Sequence, residues 1–269
     1  MLTLEALAEL NEAIYQRYGL DLRHYEPQSL RRRVERIIRK NGLDSAYDLW
    51  QKMLYQPDFC QYYLNEITIG FTALFRNPAL WRYIGQELLP ELARQAPFSI
   101  WHTGCSTGEE VYSMLITLYE HIGLEKHQIW ATDVNSEAIK QAREGTYGQD
   151  LYRKYAQNYE EFTNTGHSLE FYLRPHTKGF TFVDFLKQNL HFGLHNLAQD
   201  QHKRVFDIIM CRNILIYFDE GLKTRILNHL AQQLRKGGIL VLGFYDTWPA
   251  QCLADFELLE AGLKVFRKK

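Results

Sequence analysis

The sequence has only four cysteines in 269 residues, Cys60, Cys105, Cys211 and Cys252, and no C-x-x-C pair among them. Thiols scattered in this way exclude a disulfide framework and a thiolate zinc site, and reduced cysteines are expected. No H-E-x-x-H occurs among the histidines. His191 and His195 are four apart in a strand-like segment, where residues at that spacing lie too far apart to share an ion. No metal is therefore expected. No apolar run reaches the length of about eighteen residues that a membrane span needs. Met1 to Asn11 reads as the start of an acidic amphipathic helix without the basic stretch of a secretory signal, so a cytoplasmic chain with no membrane insertion is expected. A net charge of −1 excludes molecule-wide attraction to nucleic acid. Repeats and low-complexity tracts are also absent.

What is present is a core-forming composition, 46% hydrophobic, and one informative corner. The apolar run Phe98-Ser99-Ile100-Trp101 leads into Gly104-Cys105-Ser106-Thr107-Gly108-Glu109-Glu110, and Val111, Met114, Leu115 and Leu118 then recur at helical spacing. A strand turning through glycines into a helix is a nucleoside- or phosphate-binding corner of a doubly wound sheet. The glycines are spaced G-x-x-x-G, and two glutamates follow. Carboxylates at a helix start suit its dipole but repel a pyrophosphate. The corner therefore fits a nucleoside ligand without phosphates, such as the sulfonium S-adenosylmethionine (SAM), and disfavours a dinucleotide. The plainer alternative is that Gly108 only lets a helix pack closely on a strand. A second strand, Gln128 to Thr132, ends at Asp133, a little over twenty residues beyond the corner, where a ribose-binding carboxylate is placed. The alternative for Asp133 is an N-cap of the helix that follows.

The organisation is bipartite. Residues 1–66 read as helical, with Leu4, Leu7, Leu10, Ile14 and Tyr18 on one stripe and Gly19 as the stop. In a second helix, 30–41, Leu30, Val34, Ile37 and Ile38 share one face, and Arg32, Arg33, Arg36, Arg39 and Lys40 take the opposite one. Such a face is either a solvated surface or a dock for an acidic partner. Nucleic acid is disfavoured because no aromatic residues interleave the basic ones. Residues 67–78 are too apolar for a loose linker. From residue 79 the pattern alternates, with strands expected at 98–102, 128–132, 190–194, 205–210 and 238–243 and a terminal pair near 254–259 and 263–267. This predicts a largely parallel sheet. Residues 148–190 break the alternation and read as a small inserted β element on the sheet edge, with strands around Phe171–Arg174 and Phe180–Val183.

Taken together, these segments resemble the chemotaxis receptor methyltransferases of the CheR type over nearly the whole chain. The likeness is carried by the basic helix, Thr72-Ala73-Leu74-Phe75-Arg76, Trp101 to Ser113 with its S-T-G-E-E, Ala131-Thr132-Asp133, Asn196-Leu197, and Phe206 to Asp219 with its C-R-N-x-x-I-Y-F. The resemblance implies an all-helical N-terminal domain followed by a Rossmann-like SAM-methyltransferase sheet with a small antiparallel β insertion. It also implies transfer of a methyl group from SAM to glutamates on the helical cytoplasmic region of a chemoreceptor-like protein, leaving S-adenosylhomocysteine (SAH). A monomer is expected. By the same resemblance, Thr72 and Arg76 reach the methionine end of SAM, Glu109 its amino group and Asp133 its ribose. Asn196 and Leu197 flank the adenine, Arg212 and Asn213 close the pocket wall, and Tyr217 borders the methyl. Arg76 and Tyr217 are then the residues nearest the chemistry, and the basic helix docks the substrate.

Three positions depart from the family pattern. Gly70 stands where an asparagine ligand is usual, Val111 replaces a proline, and Gly243-Phe244-Tyr245-Asp246 replaces G-H-S-E. These departures leave two alternatives open: a SAM-binding regulatory module without transfer activity, and a methyltransferase for another protein or small molecule.

Overall fold

The computed structural model describes every residue except 1, 57, 69–71, 95–96, 164–165, 201–203, 248 and 250–253. Gly70 and Cys252 thus lie outside the described residues.

The N-terminal region is four helices around their own core: α1 (Leu4–Tyr18), α2 (Pro27–Lys40), α3 (Ala46–Tyr55) and α4 (Phe59–Ile67). The Thr3 hydroxyl accepts from the Ala6 N–H to start α1, and Gly19 ends it in the left-handed region. Pro27 sits in the first turn of α2, where its missing N–H costs nothing, and the Glu26 carboxylate takes the N–H groups of Gln28 and Ser29. The helix therefore begins three residues before the expected 30. Its apolar stripe, Leu30, Val34, Ile37 and Ile38, is buried against α1 and α4 with Leu10, Ile14, Tyr63 and Ile67.

The segment between the two regions is packed. Leu74 and Phe75 are fully buried, Phe75 stacks on Phe162 at 4.3 Å, and its N–H donates to the Ser113 hydroxyl at 2.7 Å. Helix α5 (Pro78–Tyr83) runs through a π turn, Ile84–Leu88, into α6 (Leu89–Ala93).

The C-terminal region continues with β1 (Ser99–Thr103), α7 (Glu109–His121), β2 (Gln128–Asp133), α8 (Ser136–Glu144), β3 (Thr146–Gly148), α9 (Gln149–Phe162), β4 (Leu173–His176), β5 (Gly179–Phe182), β6 (Leu190–Leu194), β7 (Phe206–Cys211), α10 (Glu220–Gln232), β8 (Leu234–Leu242), β9 (Phe256–Glu260) and β10 (Val265–Lys268). One seven-stranded sheet has the order β6-β2-β1-β7-β8-β10-β9, parallel through β8 and antiparallel at the terminal pair. Both faces are covered, as parallel sheets require. Ile100, Ile129, Ile208 and Val241 pack with α7, while Trp101, Ile209, Leu240 and Phe206 pack with α10.

Two expectations need correction. Strand β8 begins at Leu234, not at 238. The strand runs through Gly237-Gly238, where the register against β7 slips between Phe206 and Ile208. The insertion holds the expected antiparallel strands, but it forms a separate sheet packed on the helices and not an addition to the edge of the main sheet. Its three-stranded sheet, β3-β5-β4, is accompanied by the fourteen-residue α9, and the unit packs on α5 and α7. Tyr155, Tyr159 and Phe162 supply a helical stripe within an aromatic-rich stretch whose composition favours strands, and all three are buried.

Candidate functional site

The chain leaves β1 toward β2 on one side and β7 toward β8 on the other. The carboxyl ends of these strands therefore open a crevice where the strand order reverses. The floor of the crevice is the corner after β1. Gly104 has a φ of +60°, which favours glycine, and a Cβ there would meet the end of the Ile214 side chain at 2.5 Å. Gly108, with a φ of +96°, lets α7 approach α8, because a Cβ would lie 2.8 Å from that of Ala142. The packing role considered for Gly108 is thus real, but the contact is between helices.

Asp133 ends β2 and ties the corner in place. One carboxylate oxygen accepts the Ser106 N–H at 2.8 Å and the other the Asn135 N–H at 2.9 Å. Asn135, not Asp133, caps α8, its side chain accepting from the Ala138 N–H. Asp133 thus lines the cleft with acceptor capacity unused by the chain. Burial raises its pKa above the ordinary aspartate value, against the backbone N–H bonds that lower it. Beside it the Ser106 hydroxyl is buried with no hydrogen-bond partner. A buried orphan hydroxyl in an open crevice fits a polar ligand.

The two glutamates of the corner part company. Glu109 turns away from the cleft: its carboxylate takes the Thr107 hydroxyl at 2.6 Å and the Tyr155 hydroxyl of α9 at 2.7 Å, and burial raises its pKa. Glu110 faces the cleft instead, ion-paired to Arg212 at 2.8 Å and bonded to His102 at 3.0 Å. Burial alone would push Glu110 up, but the Arg212 guanidinium and His102 outweigh it and hold the carboxyl below its ordinary value. Arg212 also donates to the Asn77 side chain at 3.1 Å, so it braces the packed segment against β7.

Of the remaining residues expected at the site, Thr72, Arg76, Asn196, Leu197, Arg212, Asn213 and Tyr217 line this cleft together with Asp133. Asn196 holds its own turn, its side chain accepting from the Ala198 N–H. Tyr217 stays a neutral phenol, because burial raises its pKa although Arg33 and Arg76 pull it down. Cys105 lines the cleft as well, but burial pushes its thiol far above the usual range and it is no nucleophile.

Arg33 is the main surprise on α2. It does not stand on the exposed basic face but is buried in the cleft, 4.9 Å over the Tyr217 ring, donating to the Ile67 carbonyl at 2.6 Å and the Ser29 hydroxyl at 3.0 Å. Arg36 donates to the Glu66 carbonyl and Lys40 pairs with the Glu66 carboxylate at 2.8 Å, so part of the basic face caps and pairs the end of α4. Arg32 and Arg39 are exposed. The N-terminal region also closes the mouth of the cleft. The Glu26 N–H donates to the Tyr217 carbonyl at 2.8 Å, and the Tyr25 and Phe218 rings meet edge to face at 5.0 Å. Burial pushes the Tyr25 phenol up to about 12.

Three cleft residues were not assigned roles from the sequence, Glu110, Ser106 and Tyr25, nor was Asp246 behind the pocket wall. The Asp246 carboxylate accepts the N–H groups of Asn213, Gly243 and Ile216 at 2.6, 2.7 and 3.2 Å, and so joins the loops after β7 and β8. A signal for it existed. Asp246 supplies a carboxylate at the end of the replaced four-residue motif, so the departure keeps the acid. Among the described residues, no three His, Cys, Asp or Glu side chains gather to hold a metal ion.

Comparison with known proteins adds a family. The description "CheR methyltransferase, SAM binding domain" matches residues 70–262, and "CheR methyltransferase, all-alpha domain" matches residues 5–68. The Cher3 protein of Pseudomonas putida is 34% identical over 261 residues, covering 96% of this chain and 95% of that one. A chemotaxis protein methyltransferase of Klebsiella aerogenes is 30% identical, covering 93% of this chain and 85% of its own. One of Listeria monocytogenes is 27% identical, covering 84% and 83%.

Proposed function

The chain belongs to the CheR methyltransferase family and is a SAM-dependent methyltransferase of chemotaxis; from that premise we propose that it esterifies glutamate side chains on a helical, acidic region of a chemoreceptor-like protein. The observation that carries this reading is the continuity between α2 and the cleft. The helix that exposes Arg32 and Arg39 also sends Arg33 into the pocket beside Tyr217. A cationic surface running into the reaction site steers and orients an acidic partner.

SAM supplies a methyl group made electrophilic by its sulfonium. A glutamate has a pKa of about 4.3 and is already a carboxylate at neutral pH, so the chain need provide no general base. This fits a cleft in which Glu110 is paired with Arg212 and the Cys105 thiol is held neutral by burial. With SAM bound, bonding of the glutamate oxygen to the methyl carbon would break the carbon–sulfur bond and leave its electron pair on sulfur, giving the methyl ester and SAH. The work of the residues is alignment and exclusion of water. Arg76 and Arg33 present guanidinium groups to an incoming carboxylate, the Tyr217 ring walls the reaction site, and the Ser106 hydroxyl and Asp133 offer a donor and acceptors to the adenosyl part. Asp246 clamps the altered segment Gly243–Asp246 against the loop after β7 and so keeps the Asn213 wall of the pocket in place.

Incubation with SAM labelled in its methyl group and a receptor cytoplasmic fragment tests the reading. Label released as methanol by mild base is expected. Intact SAH binding with no label in the fragment would count against it.

A further inference from the structure

A second groove opens beside the cofactor cleft and shares Arg76, Asn213 and Tyr245 with it. Its far wall is Lys154, exposed on α9, and its near wall is the ring pair Phe244 and Tyr245. The two rings meet edge to face at 5.0 Å, yet Phe244 is 57% and Tyr245 69% exposed. Adjacent exposed aromatics are unusual on a surface with no partner, and they are enriched where partners dock. They are also held rigidly. Asp246 pins the turn through three backbone N–H groups, the Asp246 carbonyl accepts from Lys264, and Lys223 donates to the Thr247 hydroxyl. A presented, preorganised ring pair loses little freedom on binding. Across from it, Arg76 and Lys154 make the groove cationic, and among the described residues no acid lines it.

We propose that this groove is the substrate subsite: it seats the helix that carries the methyl-accepting glutamate, with an apolar side chain about one turn away on the Phe244–Tyr245 rings and a neighbouring acid on Lys154. The spacing follows from helix geometry, since residues three or four apart share a face. This rests on the glutamate-methylation reading above. It makes the aromatic pair a determinant of which glutamates are chosen, because a target flanked by a polar residue at that position leaves the rings exposed.

The test uses the full chain saturated with SAH and a fluorescent acidic helical peptide with one central glutamate, bearing either leucine or serine four residues from it. Anisotropy is expected to show the leucine peptide bound about tenfold more tightly than the serine peptide, with that preference abolished by Phe244→Ser and overall affinity lowered by Lys154→Glu. Both side chains lie outside the cofactor cleft, so SAH affinity, measured in parallel, should be unchanged and reports that the variants fold. No peptide binding, or a leucine preference that survives Phe244→Ser, overturns the proposal. Methyl transfer to the same peptide with SAM in place of SAH reads the function separately. Selective binding without transfer upholds the groove and sinks the glutamate reading. Transfer with the preference intact in Phe244→Ser does the reverse.

Discussion

Replacing Asp133 by asparagine should weaken SAH binding far more than it weakens the fold. The carboxylate has about four acceptor positions. Backbone N–H groups, those of Ser106 and Asn135 among them, occupy part of these. Asp133 lines the cleft, where the ribose hydroxyls are expected. A hydrogen bond to a charged acceptor contributes about 1.5–3 kcal/mol. Asparagine keeps the shape and one acceptor oxygen, but it turns an NH2 toward groups that themselves donate. A loss of about 2–4 kcal/mol in SAH affinity follows, roughly 30- to 900-fold. Calorimetric titration reads it directly, and thermal unfolding without ligand guards against a trivial loss of fold. The pH dependence has a definite sign. Binding needs the ionised carboxylate, and burial raises the Asp133 pKa. SAH affinity should therefore fall on acidification, beginning above the ordinary aspartate value, and Asp133→Asn should remove that component. A less than threefold change in affinity, with an unaltered pH profile, would refute the assignment of Asp133 to the ribose.

Other outcomes follow from the same geometry. Glu110→Gln leaves the nearly buried Arg212 guanidinium unpaired and should cost about 3 kcal/mol of stability in thermal or urea unfolding. Because the folded pKa of Glu110 is lowered, its contribution is present above the ordinary glutamate value and lost as pH falls through the folded value, so the deficit should shrink on acidification. Reversing Arg32 and Arg39 to glutamate should lower kcat/KM on an acidic helical substrate about tenfold and flatten its salt dependence, with SAH affinity unchanged; equal activity would exclude the α2 surface from docking. Tyr155→Phe removes the hydroxyl from the buried Glu109 carboxylate and should destabilise the protein by about 1–3 kcal/mol, read by thermal unfolding, through the joint between insertion and corner.

The alternation of apolar strands with amphipathic helices was legible because a parallel sheet buried on both faces writes near-continuous hydrophobic runs, as in Phe98–Trp101 and Phe206–Met210. The crevice was legible for a related reason: glycines at 104 and 108 and an acid at the end of the next strand are demanded by local backbone geometry. What escaped depends on rotation about a helix. Glu109 and Glu110 differ by about 100° on α7, and only the tertiary placement of Tyr155 and Arg212 decides which one enters the cleft. Arg33 likewise sits at the border between the two faces of α2, where the neighbouring carbonyl of Ile67 and the Tyr217 ring, far away in sequence, draw it inward. In α9 the aromatic content obscured a helical stripe. Asp246 was read as a lost motif because its partners are backbone N–H groups, which no side-chain pattern announces.

The measurement that bears most directly on the central claim is transfer of labelled methyl from SAM to a chemoreceptor cytoplasmic fragment, followed by mild base and by mapping of the esterified residue. The account predicts label that base releases as methanol, located on glutamates of the helical region and abolished when those glutamates become alanine. Label on another residue type, or tight SAH binding with no transfer to any receptor fragment, would contradict it.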